Sequence, residues 1–187
     1  MAQSIYKTLA ETSFANRAIY LICMAIMFVG IVMLITIGGK HVYLIVKHIR
    51  FAILYAAIGL ILALLIIAAL KSIKRNLFTN RTLRLGIIWF LLFGLVNISV
   101  SGASYINYKY AKPDVTYYSF KIIKKYTWHS KNAVHYTIDL TYSDIEKELT
   151  IGYGAYVDLE VGKYVRGGIR HGALGFDFVE FAKGTNH

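Results

Sequence analysis

The chain has 187 residues, 57% of them hydrophobic, and 21 Lys and Arg against 10 Asp and Glu give a net charge of +11. Residues 1–113 hold 12 of the bases and one acid, Glu11, whereas residues 114–187 hold nine of each. The excess therefore flanks apolar segments, where bases meet anionic headgroups, and is not gathered on a folded domain as a nucleic-acid binder requires; no nucleic-acid partner is expected.

Residues 1–17 are polar and include Lys7 and Arg17; Ala18 to Gly39 follows, 22 residues without Asp, Glu, Lys, Arg or His. That run exceeds the 7–15 residues of a signal-peptide core, and Ile35-Thr36-Ile37-Gly38-Gly39 offers no small-x-small cleavage pattern, so an uncleaved anchor is expected. The only cysteine, Cys23, lies within it, which excludes an intramolecular disulfide and a cysteine-held zinc. Two more uncharged runs, Phe51 to Leu70 (20 residues) and Leu85 to Tyr108 (24), are flanked by Arg50 and Lys71 and by Arg84 and Lys109. A helix needs roughly 20 apolar residues to cross about 30 Å of hydrocarbon. The sequence thus predicts transmembrane helices over 18–39, 51–70 and 85–108.

Three crossings put the N-terminus and the C-terminal region on opposite sides. Lys7, Arg17, Lys71, Lys74, Arg75, Arg81 and Arg84 fall on the first side; Lys40, Lys47, Arg50, Lys109 and Lys112 fall on the other. That balance favours a cytoplasmic N-terminus and an external C-terminal domain. The 11-residue loop from Lys40 to Arg50 is apolar for a solvated loop, and it is expected in the interface or as an extension of the second helix. The strongly basic second loop, Lys71 to Arg84, is expected at anionic lipid.

After Pro113 the pattern turns to alternation with period two. Val134, Tyr136, Ile138, Leu140 and Tyr142 share one face of a strand; His135, Thr137, Asp139 and Thr141 share the other. An earlier strand over Tyr117 to Lys125, a polar link Thr127 to Asn132, a turn at Ser143-Asp144, a strand over Lys147 to Tyr153, and short strands near Tyr164–Val165 and Leu174–Phe181 complete the reading. The fold class expected is membrane α+β: three transmembrane helices (residues 1–112), then a small antiparallel β barrel or sandwich (113–187).

With Tyr136-Thr137-Ile138-Asp139-Leu140-Thr141-Tyr142, Leu149-Thr150-Ile151, Val161-Gly162-Lys163-Tyr164-Val165 and Gly172-Ala173-Leu174-Gly175, the chain resembles a broad set of uncharacterised bacterial membrane proteins. They join a few helices to a small all-β domain. The resemblance covers about the last 70 residues and rests on turn glycines and alternating apolar positions. It implies a bacterial inner membrane and carries over no catalytic residue.

Motifs for chemistry are sparse. Gly152-Tyr153-Gly154 lacks the third glycine of a dinucleotide site, and the run from Gly167 to Gly175 lacks the Lys-Ser/Thr of a phosphate loop; both read as turns that need positive φ. His41, His48, His129, His135, His171 and His187 show no metal-ligand spacing, and Asp177 and Glu180 are expected on opposite faces of a strand. No cofactor, metal or catalytic group is expected. The uncharged spans argue against an autonomous pump. What remains is packing: Ala52, Ala56, Gly59 and Ala63 form a small-residue stripe on the second helix, and Asn97, Ser99, Ser101 and Ser104 can hydrogen-bond between helices. On the β domain, His135, Thr137, Asp139 and Thr141 are the candidate surface. The function expected is a non-catalytic, membrane-anchored interaction or accessory protein, its partners the lipid bilayer and a membrane or secreted protein. Its alternatives are an immunity-type protein that neutralises a toxin acting at the inner membrane and a subunit of a membrane transporter or enzyme complex.

Overall fold

A computed structural model describes residues 14–38, 45–73, 80–130, 133–143 and 145–181. Three helices carry the apolar runs: α1 (Phe14–Met33), continued by a π-helical turn at Leu34–Gly38, α2 (His48–Ile73) and α3 (Arg81–Lys109). With that turn included they are 25, 26 and 29 residues long, enough and apolar enough to cross a membrane. Only 17, 11 and 22% of their most apolar stretches are buried, so most of their apolar surface is left for another medium to cover.

Each helix begins before its uncharged run. For α3 the cause is a cap: Asn80 Oδ1 accepts from the N–H groups of Thr82 and Leu83 at 3.0 and 3.2 Å, which starts the helix at Arg81. Within this unit glycines set the helix spacing. A Cβ on Gly59 of α2 would fall 2.7 Å from Leu95 O and from Val96 Cα of α3. Gly30 of α1 meets Gly94 of α3 as closely, backbone against backbone. Tyr20, Cys23, Ala63, Leu83, Ile87 and Leu91 form the buried cluster.

The second compact unit comprises residues 44–47 and 107–187. Its strands are β1 (Val115–Ser130), β2 (Ala133–Tyr142), β3 (Ile145–Ile151), β4 (Tyr164–Arg170) and β5 (Phe178–Phe181), with a short helix α4 (Tyr153–Asp158) between β3 and β4. They form one antiparallel sheet in the order β3-β2-β1-β4-β5. The expected barrel or sandwich is in fact a single sheet curled into a half-barrel. A bulge between Ile122 and Lys124 adds to the curl of the long β1.

The strand limits differ from the alternation-based reading. β1 runs on through Thr127–Ser130, which had read as a link, because those residues pair with β2 as far as Ala133. β4 runs to Arg170, so Gly167 and Gly168 lie inside a strand and not in a turn; among the glycines of the two suspected motifs only Gly175, at φ +80°, has positive φ. The span from Leu174 is a turn up to Phe178, where β5 starts, so Asp177 precedes the strand. Gly152 and Gly154 open α4. The turn between β2 and β3 holds Ser143 at φ 54°, the left-handed backbone that a two-residue hairpin connection requires.

The concave face collects Phe120, Ile122, Ile138, Leu140, Ile169 and Val179. Over them lie Val46, Tyr156 and Leu159. Val46 belongs to the loop between α1 and α2, which supplies the β domain with a strap. Ile45 bridges Phe178 of β5 in antiparallel fashion, and the N–H of Val46 donates to Asp177 O at 2.8 Å. From the opposite edge of the sheet, Lys147 Nζ of β3 donates to Ile45 O at 2.7 Å. The strap therefore fills the seam that keeps the half-barrel open, between β3 and β5. The described part of that loop is strap and helix extension, since α2 begins at His48.

Candidate functional site

On the outer face of the sheet the strand register gathers the residues that the alternation had singled out. Trp128 of β1 lies opposite His135 of β2, and their rings stack with centroids 3.9 Å apart and planes 12° from parallel. His135 Nε2 is also 3.1 Å from Ser130 Oγ. Next along, Asp139 is flanked by Lys124 on β1 and Glu148 on β3. Two carboxylates side by side repel, and Tyr126 answers them: partial burial, with hydrogen bonds and charge from Glu148 and Asp139, pushes its phenol up to about 12. Lys124 Nζ lies 4.9 Å from the Tyr126 ring centre. Thr141 is half-buried.

Thr137 departs from expectation. It was placed on the solvated face, yet it is 0% exposed and its hydroxyl has no partner among the described residues. It sits in β2 between Tyr126 and Thr150 of the flanking strands, where neighbours on both sides close over a small side chain. The outer surface is therefore Trp128, His135, Tyr126, Asp139 and Glu148, an aromatic and charged ridge along the β1–β2 ribbon and onto β3.

A recess of about 290 Å³ opens at one end of the sheet, lined by Tyr118, Tyr142, Ser143, Ile169, His171 and Asp177 among others. His171 Nδ1 and Asp177 Oδ1 are 2.6 Å apart, and both side chains are exposed. Nothing in the sequence announced the pair, because a turn and not a strand brings the two together. Lys147 was equally silent. Its side chain is 7% exposed on the apolar face, and that burial pulls the ammonium down to about 8. Asn107, also unsuspected, is buried and clamps the turn before β5: its Nδ2 donates to Phe176 O at 2.8 Å and its Oδ1 accepts from Leu174 N–H at 2.9 Å. Polarity inside the last turn of an uncharged run was the one signal that could have found it. No cluster of three or more metal-ligating side chains occurs among the described residues.

Among the helix-packing candidates, Gly59 and Ala63 are buried and Gly59 is seated on α3; Ala52 and Ala56 are half-buried. Ser101 is buried beside Gly38, with its hydroxyl unpartnered among the described residues and its carbonyl accepting from Ser104 Oγ at 2.8 Å. Ser99 and Asn97 are half-buried. Comparison with protein-family models, with curated proteins and with solved structures finds no match for this chain.

Proposed function

We propose that the chain is a non-catalytic, membrane-anchored interaction protein that holds a partner protein through the outer ridge of its β domain. The observation that carries this reading is the filled concave face. A curled sheet with room inside can take a ligand there, and here Val46, Tyr156 and Leu159 already occupy it. The outer face carries the aromatic ridge, of the residue types that anchor interfaces: Trp128 is 44% exposed at the end of a ribbon that extends past both neighbouring strands.

The membrane reading is supported by a topological match. Three crossings put the α1–α2 loop and the region after α3 on one side, and Ile45 and Val46 of that loop are built into the β domain. The flanking bases favour the N-terminus inside and the β domain outside, and the resemblance of the β region favours a bacterial inner membrane. The test is purification of the tagged full chain from its native membranes, with Trp128→Ala beside it. A stoichiometric protein that co-purifies with the parent and is lost from the variant supports the reading. A solitary protein that leaves cells open to killing by a membrane-active toxin when deleted would replace it with the immunity alternative. Dependence of a transport or enzymatic activity on the chain, with the ridge variant fully active, would favour the subunit alternative.

A further inference from the structure

We infer that two copies of the chain associate side by side through α3, with the carboxamides of Asn97 hydrogen-bonded to one another across a two-fold axis along the membrane normal. The inference rests on the membrane reading above. Asn97 is 16 residues from Arg81 and 12 from Lys109, the two ends of α3. At 1.5 Å per residue it lies about 3 Å from the middle of the span. Its side chain is half-buried and makes no hydrogen bond to any described residue. In hydrocarbon there is no water to satisfy two N–H donors and a carbonyl, so such an amide draws a polar group from another helix.

The surroundings suit a helix. A groove of about 240 Å³ lined by Leu92, Phe93, Val96 and Asn97 runs along the outside of α3. One turn towards the N-terminus, Trp89 and Phe93, each 55% exposed, set their rings 5.6 Å apart. Trp89, Leu92, Phe93, Val96 and Asn97 recur at i, i+3, i+4, i+7 and i+8, the face a helix presents to a neighbour. Gly59 and Gly94 are already spent within the bundle, whereas Trp89 and Phe93 stay exposed on the side of α3 that carries Asn97. The occupant is a second copy because a carboxamide is its own complement: each can donate and accept. A two-fold axis along the normal brings identical residues together at identical depth, which a chance partner does not.

The experiment uses the full chain with Cys23→Ser in lipid nanodiscs and in native membranes. Phe93→Cys, one turn from the intact amide, should give a disulfide-linked dimer on oxidation; Ile61→Cys, 56% exposed on α2, should not. The mass of the parent in nanodiscs should be that of a dimer. Asn97→Leu should weaken association by about three- to thirty-fold and Asn97→Gln should restore it. Monomers throughout, or Phe93→Cys linked to a different protein in native membranes, would overturn the dimer. A chain washed off membranes by alkaline carbonate would instead overturn the membrane reading, and only an extraction-resistant chain that stays monomeric counts against the interface itself.

Discussion

Lys147 gives the β domain a pH dependence that can be worked out in advance. Lys147 is 7% exposed, its ammonium donates to Ile45 O, and burial lowers it from 10.5 to about 8. A shift of that size corresponds to ~3 kcal/mol of cost for keeping the charge inside, at 1.36 kcal/mol per unit. At pH 7 the group is protonated in both folded and unfolded chains, and the fold bears the whole cost. As pH rises through 8 the folded state sheds its proton first, so stability climbs until the unfolded state follows near 10.5. Tyr126 acts in the other sense. Its phenol is pushed up to about 12, so the folded state keeps a proton that the unfolded one loses from 10 onwards. Its contribution is present below 10 and is lost between 10 and 12. The stability of the β domain should therefore rise from pH 8, turn over near 10 and then decline.

Urea denaturation of the full chain in detergent, followed by the fluorescence of Trp128 in a Trp89→Phe background, reads this directly. Lys147→Met should abolish the rise between pH 8 and 10. At pH 7 it should change stability little, because ~3 kcal/mol of charge burial is relieved while the carbonyl of Ile45 loses its donor at a cost of about 1–3 kcal/mol. A parent protein whose stability is flat over that range, or a Lys147→Met variant that keeps the slope, would refute the reasoning.

Other substitutions test the packing. Gly59→Leu drives a side chain into the backbone of Leu95 and Val96 and should destabilise the helical unit by about 1–3 kcal/mol or more, read as a lower midpoint in thermal or detergent denaturation; an unchanged midpoint means α2 does not rest on α3 there. Asn107→Ala removes the bonds to Phe176 O and from Leu174 N–H and should cost about 2–4 kcal/mol in the same Trp128 assay. Thr137→Val swaps a buried hydroxyl that has no partner among the described residues for a methyl of like shape and should be neutral or stabilising by about 1 kcal/mol; a loss instead would reveal a partner for the hydroxyl.

The three helices were legible because length and missing charge are local properties. Their ends were not, since Asn80 caps α3 ahead of Arg81 and Arg84, and helices tolerate bases in their end turns. β2 was legible because it alternates cleanly. β1 was read short because the polar run Thr127–Ser130 looks like a link, yet it still pairs with β2. The seam could not be read at all. Lys147 looks like one more charge on a hydrated strand until the Ile45 carbonyl, 102 residues away in the chain, is brought to it. Phe178, which Ile45 bridges on the other edge, stands at the start of a four-residue strand whose predecessor, from Leu174, looked like strand. The ridge was half legible: the register that stacks Trp128 on His135 also encloses Thr137.

That seam constrains more than the β domain. Ile45 precedes α2, and β5, which it bridges, follows α3. For both to enter one folded unit, α2 and α3 must either both cross the membrane or both fail to cross it; one crossing without the other would leave the strap and the sheet on opposite sides. The parity thus follows from a β-bridge and a lysine hydrogen bond, independently of hydropathy. Single cysteines at Lys47 and at Asp114, both exposed and both in the β unit, put it to the test in a Cys23→Ser background. In sealed vesicles of known orientation, a membrane-impermeant maleimide should label both positions from the same side. Labelling from opposite sides would mean that the strap never reaches the sheet, and the half-barrel would then have to hold its apolar face without Val46.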